Sequence, residues 1–358
     1  MSTRRSRKRA RTGSIAAFIE DSAAPERGNT ETAVRKRDKE FWHSDGTIIL
    51  VARDIEFRVF KGILAEHSPV FRDMFSLPQP VDASSSTPPH RAADDPCPIV
   101  HLSDSPEDLR HVLRVYMPKG GPSAFFRSGP APCYSYHSIS AAVRLGHKYQ
   151  MTDLLDNALA YLKTYYTTDY EKWTAQDDYG PPGFDPSHAI GVVNLSRLTN
   201  ETGLLLMALL VCCSLDDGQE LLGGFEREDG ARERLTHDDI ARCYSAKTRL
   251  IAESTKIALR ACRPEISDAC KTGLSCIRSF NQMLKRLGDG EGPIAGFDPS
   301  AGTHAFMNVL DTSEVCVHCR AMVVGRVLRE RKAAWARLPG YLASRCRRKP
   351  PRASEPPG

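Results

Sequence analysis

The sequence predicts an α+β fold: an N-terminal domain in which helices cap a small β-sheet, followed by a mostly α-helical C-terminal region. Strand-like patterns, either short apolar blocks or strict apolar–polar alternation, occur between residues 47 and 102 and stop beyond about 168. Apolar residues at helical spacing recur from residue 62 to residue 338. Pro, Gly, Ser and Asp gather between these patterns, where connections belong. The expected organisation is a disordered basic arm at 1–38, an α+β domain at 39–168 with loop insertions at 78–98 and 118–133, a linker at 169–186, a helical domain at 187–340 and a disordered basic tail at 341–358.

Residues 1–38 are polar and poor in large apolar groups, and order is expected from near Phe41. Residues 47–51 (TIILV) form a strongly apolar strand candidate. Ile55, Phe57 and Val59 alternate with Glu56 and Arg58, which puts the three apolar side chains on one face. Ala52-Arg53-Asp54 reads as the tight connection of a β-hairpin. A short helix follows at 62–66. Ser68-Pro69 starts the next one, because the hydroxyl caps free amides and proline at the first position has no amide to leave unpaired. That helix presents Val70, Phe71, Met74 and Phe75 on one side. Ile99–Leu102 is the third strand. Ser105-Pro106-Glu107-Asp108 repeats the cap and places acids in the first turn, where the helix dipole favours them. Leu109, Val112, Leu113 and Tyr116 continue that helix. Ile139, Ala142, Val143 and Leu145 mark another, and a helix from Thr152 stacks Leu155, Ala158, Leu159 and Leu162.

Helices are expected at 187–198, 203–215, 238–261, 265–287 and 313–337. The fourth carries a stripe of Ile266, Cys270, Leu274, Ile277, Asn281 and Leu284. The fifth carries Val317, Ala321, Val324, Leu328, Trp335 and Leu338. The acids at Asp177-Asp178, Asp216-Asp217 and residues 226–229 read as solvated loop charges.

The net charge of +5 comes from the ends. Arg4, Arg5, Arg7, Lys8, Arg9 and Arg11 lie in the first eleven residues, and Arg345, Arg347, Arg348, Lys349 and Arg352 in the tail. Without those eleven, the cations among the chain's 49 are outnumbered by its 44 acids. A nucleic-acid-binding domain concentrates cations on a folded face, so nucleic acid is not an expected partner. The basic run from Arg4 to Arg11 reads either as a nuclear-import signal or as a solvated arm. Eleven scattered cysteines without a secretory leader point to reduced thiols in an intracellular protein, nuclear or cytoplasmic, with the basic run favouring the nucleus. The longest apolar run, at 203–215, falls short of the roughly 20 residues that span a bilayer, so a buried helix and no membrane association is expected.

No GxSxG, HExxH or P-loop pattern occurs, and the adjacent His67 and Ser68 cannot place an imidazole on the serine oxygen, so no catalytic residue is assigned. Cys316-Val317-His318-Cys319 is the one metal-like spacing. A structural zinc needs four ligands, and Cys262, Cys270 and Cys276 are the candidates to complete the set, Cys270 and Cys276 foremost. Zinc binding, plain core packing of thiols and a redox role are all open at this point, core packing being the commonest fate of a free cysteine. No other cofactor is expected.

The segment HSDGTIILVARDIEFRVFKGILAEHSPVFRDMF at 43–75 resembles the start of a BTB/POZ domain. The matching marks are Asp45, the strand pair, Leu64 and His67-Ser68-Pro69-Val70-Phe71. They continue through residues 100–107 (VHLSDSPE), Tyr116, residues 145–151 (LGHKYQM) and Leu154-Leu155. The long loops and the carboxy-terminal Cys316-x-x-Cys319 with Trp335-x-x-Leu338-Pro339 resemble the expanded BTB family of mushroom-type fungi. The resemblance covers about residues 40–165. It implies a non-catalytic protein-interaction scaffold that self-associates, as a homodimer, or docks other proteins. It also implies that Asp45 lies near the dimer seam with Lys61 as its basic partner, set against the alternative of an ordinary turn aspartate. Family members that recruit the cullin scaffold of a ubiquitin ligase carry an apolar-x-Glu element after the helix ending here at Phe75. This chain has Leu77-Pro78-Gln79, and the neutral amide cannot make the charge-assisted hydrogen bond of a carboxylate. A substrate adaptor of a cullin-based ligase, and after it a nuclear regulator, are the alternative functions.

Overall fold

Strands β2 (Ile48–Ala52) and β3 (Ile55–Val59) pair antiparallel in the register Ile48 to Val59 through Ala52 to Ile55, so the expected hairpin forms. The computed structural model that shows it describes residues 35–77, 97–118, 133–215, 218–289, 296–300 and 310–342. The basic run at 4–11, Gln79, nearly all of both loop insertions and the tail beyond 342 lie outside the described residues.

Two further strands complete a four-stranded sheet. β4 (Ile99–Leu102) lies parallel to β2. On the opposite edge β1 (Lys36–Trp42) lies parallel to β3, inside sequence expected to be arm as far as residue 38. Its sequence, KRDKEFW, buries only Asp38 and Phe41, so no alternation announces it. Polar contacts hold it instead. The Asp38 carboxylate accepts from the Glu40 and Phe41 amides, both at 2.8 Å, and from Arg110 at 3.0 and 2.8 Å. Glu40 binds Arg114 through a guanidinium–carboxylate fork.

Helices α1 (Lys61–His67) and α2 (Pro69–Ser76) follow the hairpin, and Ser68 accepts from the Phe71 amide at 3.0 Å as a cap. α3 (Pro106–Tyr116) begins at the Ser105 cap, which accepts from Asp108 at 3.1 Å. α4 (Tyr136–Lys148) and α5 (Thr152–Tyr165) pack as an antiparallel pair, and α4 is buried along most of its length. The protein is thus α+β, with a small N-terminal sheet and a helical remainder.

The segment expected as a linker is packed. α6 (Tyr170–Thr174) lies within it, Trp173 is buried, and its indole donates to Asp298 at 2.9 Å. Beyond it, α7 (His188–Thr199) lies against α4, and α8 (Thr202–Cys212) is the apolar helix expected from its composition. A single apolar cluster therefore runs from Phe41 in the sheet to Leu342. α9 (Gly218–Gly223) leads to an unforeseen hairpin of β5 (Phe225–Glu226) and β6 (Arg232–Glu233). Its charges are not all solvated. Arg227 pairs with Asp108, Glu228 with His111, Asp229 with Arg53, and Glu233 with Arg144 and Asn194.

α10 (His237–Ala261) and α12 (Val317–Leu342) run antiparallel, as their ion pairs show. Glu253 meets Arg337 and Arg260 meets Glu330, seven residues on along one helix and seven back along the other. α11 (Gly273–Gly288) packs at their far end. The expected helix at 265–287 starts only at Gly273, which leaves Ile266 and Cys270 in the preceding turn. Its buried face is Cys276, Phe280, Met283 and Leu287, while Leu274 is 83% exposed. On α12 the buried face carries Cys319, Val323, Val327, Ala334 and Leu338, and Val317 is 71% exposed. Each helix has aliphatic residues on two faces, so periodicity alone did not choose between them.

Two measurements follow from these contacts. Asp38→Ala removes the acceptor that joins β1 to α3 and leaves Arg110 unpaired, an expected loss of about 3 kcal/mol. Hydrogen exchange is expected to show lost protection in 36–42 first. His188 stacks on Tyr136 at 4.5 Å, and its Nδ1 accepts from the Asp185 amide at 2.9 Å, which requires a neutral ring. Burial, reinforced by His137, lowers its pKa to about 4. The unfolded chain binds the proton more readily, so stability is expected to be full above about pH 6.5 and to fall as pH drops toward 4. His137 is also lowered by burial, so denaturant midpoints against pH should flatten in part in His188→Gln and further in the double variant with His137→Gln.

Candidate metal centre and interaction residues

Four cysteine side chains meet at the far end of the α10–α12 pair. Cys270 sits in the turn before α11 and Cys276 in the first turn of that helix. Cys316 precedes α12, and Cys319 lies in its first turn, so the Cys-x-x-Cys spacing turns both thiols to one side of a helix start. All four sulfurs lie within 4.8 Å of one another. Cys270 to Cys276 is 3.7 Å, and Cys270 to Cys316 is 3.6 Å. Cys276 and Cys319 are buried, and Cys270 and Cys316 are half-buried.

Hydrogen-bond donors surround the sulfurs. The Cys316 amide donates to Cys276 Sγ at 3.3 Å, and the Ser267 amide donates to Cys319 Sγ at 3.4 Å. The Thr272 hydroxyl lies 3.3 Å from Cys276 Sγ. The backbone amide of Cys319 holds the Cys316 thiol down to about 6, whereas burial pushes Cys319 up to about 12. Such a set can hold a soft divalent ion through four thiolates. It leaves no position for a substrate, so the chemistry on offer is structural.

The structure brings together the sequence-predicted Cys270, Cys276, Cys316 and Cys319 and leaves Cys262 out. Cys262 is buried among apolar neighbours, and burial raises its thiol to about 11. Cys270 does not lie on a helical stripe, as expected, but in a turn open to the other three. Sequence reasoning did not single out a second thiol group, Cys212, Cys213 and Cys243, in which Cys213 Sγ donates to the Cys243 carbonyl at 3.6 Å. Those three are buried in the main core.

The interaction candidates are scattered. Asp45 is exposed in the turn before β2, and within one chain no ion pair joins it to Lys61, which is exposed at the start of α1. Leu77 follows α2 and is 65% exposed, and Gln79 lies outside the described residues.

Three separated segments that carry the family resemblance meet at Tyr149. Its carbonyl accepts from Ser68 Oγ at 2.6 Å. Its ring stacks on Phe71 with centroids 4.3 Å apart. Its hydroxyl donates to Asp104, which also receives Lys148 at 2.7 Å. The chain matches no known family model, and no curated protein matches it.

Proposed function

We propose that this chain is an intracellular protein-interaction scaffold whose N-terminal α+β region, of BTB/POZ type, self-associates or docks partner proteins. The observation that carries the reading is the convergence on Tyr149. Residues 67–71, 103–107 and 145–151 are far apart in sequence, and each contributes a mark of the resemblance. A cap serine, a stacked phenylalanine and a half-buried carboxylate bind them together as one structural unit, which supports the reading. A unit of this kind presents helices and sheet edges to partners, which fits docking better than catalysis.

A specific feature favours a second reading. Leu77 is exposed just after α2, where a cullin-recruiting element would begin. Gln79 in place of an acid weakens that reading by removing a charge-assisted hydrogen bond. Adaptor activity is therefore the alternative, and nuclear regulation through the basic arm the further one.

Sedimentation of the full chain over a concentration series is the direct test. A reversible dimer with a dissociation constant of about 1 μM, roughly −8 kcal/mol, is the expected outcome. A strict monomer that also captures no partner would overturn the scaffold. Titration with a cullin N-terminal domain separates the alternatives: no binding by wild type is expected. Gain of binding in Gln79→Glu would mark a lost adaptor surface, and tight binding by wild type would put the adaptor reading first.

A further inference from the structure

The far end of the α10–α12 pair has a stability problem that the rest of the chain does not share. α10 has 25 residues and is therefore roughly 37 Å long. Its early residues Cys243, Ala246 and Leu250 belong to the main core, whereas Ala261 belongs to a separate apolar cluster. α12 returns along the same path, from Cys319, Val323 and Val327 in the far cluster to Leu338 and Leu342 in the main one. Among the described residues the far cluster holds ten buried side chains, contributed by the ends of α10, α11 and α12 together with Leu310. A core this small seldom holds three chain segments together unaided, and small domains meet the shortfall with disulfides or a metal.

We propose that Cys270, Cys276, Cys316 and Cys319 bind one zinc ion as a closed tetrathiolate centre that staples this far end. The geometry carries the assignment. A tetrahedral ion with Zn–S bonds of about 2.3 Å sets its sulfurs about 3.8 Å apart. Two of the sulfur–sulfur spacings are 3.6 and 3.7 Å, and all four sulfurs fall within 4.8 Å of one another. Simple core packing does not account for this. Two of the four thiols are half-exposed, and backbone amides of Cys316 and Ser267 point at sulfur rather than at oxygen. N–H···S bonds of this kind support thiolate ligands by spreading their charge. Binding of one Zn²⁺ displaces the protons that the four thiols still carry and leaves a centre of net charge −2, with no oxidation of any group. The ligands come from the turn before α11, the start of α11 and the start of α12, so one ion ties together the three segments that the small cluster must hold. This inference stands independently of the interaction reading of the N-terminal region.

The test uses the full chain purified under reducing conditions. About one zinc per chain is expected by elemental analysis, and exchange with Co²⁺ should give the ligand-field spectrum of a tetrahedral cobalt tetrathiolate. Cys276→Ser and Cys319→Ser should lose the ion, while Cys133→Ser, an exposed cysteine outside the cluster, should keep it. Thr272→Val removes only the hydroxyl beside Cys276 and should weaken zinc roughly ten-fold in competition with a chelator. Chelation of wild type should strip hydrogen-exchange protection from 257–289 and 317–327 while leaving 48–59 protected. If the serine variants fail to fold, the stoichiometry and cobalt spectrum of wild type decide the question. Folded chain that takes up no metal from excess zinc, that binds iron instead, or that joins Cys270 to Cys316 as a disulfide would overturn the proposal.

Discussion

Almost no face of helix α4 is free, and the rest of the structure is arranged around that constraint. Tyr136, Ile139, Ala141, Ala142, Val143, Leu145 and Gly146 are all buried, because α3, α5 and α7 each pack on a different side. Two glycines set the closeness of these contacts. A Cβ on Gly146 would lie 3.2 Å from Leu155 of α5. A Cβ on Gly191 of α7 would lie 1.8 Å from the Tyr136 hydroxyl, far inside contact distance. The α4–α7 seam thus makes one interior of two regions that the sequence suggested were separate. Polar contacts reinforce it: Arg144 of α4 and Asn194 of α7 both bind Glu233 of the β5–β6 hairpin.

From this interior the α10–α12 pair extends outward, and the physics changes along its length. Near the main core, packing against α8 holds the pair. Farther out, surface ion pairs such as Arg260–Glu330 replace it, and exposed pairs of that kind contribute little, at most about 1 kcal/mol each. The concentration of thiols where apolar burial runs out is therefore the arrangement that most needs explanation, and a metal centre supplies one.

Much of the fold was legible in the sequence because its signals are local. Ser68 and Ser105 cap helices where the chain pattern placed them, and the alternation at Ile55, Phe57 and Val59 fixed the hairpin. The features that escaped are those set by distant charges. β1 depends on Arg110 and Arg114, more than seventy residues away, and nothing in its own composition announces a strand. The β5–β6 hairpin likewise depends on Asp108, His111 and Arg144 for its acids and arginine to find partners. At the candidate centre the Cys-x-x-Cys spacing was readable, as was the choice of Cys270 and Cys276 to complete it. The face on which α11 buries Cys276 was not, since Ile277 and Leu284 compete with Phe280 and Met283 for the same periodicity. The packed state of 169–186 was hidden because its anchors, Trp173 and Phe184, are isolated aromatic residues without a helical or strand period.

Native-state hydrogen exchange on the full chain, wild type against Gly191→Ala, tests the shared interior most directly. The added methyl group must displace Tyr136, an overpacking cost of about 1–3 kcal/mol. A shared interior predicts that the slowest amides of β2, β3, α4, α7 and α8 open together and are all weakened by the same amount. Loss confined to α7 and α8, with the sheet exchanging as in wild type, would contradict it.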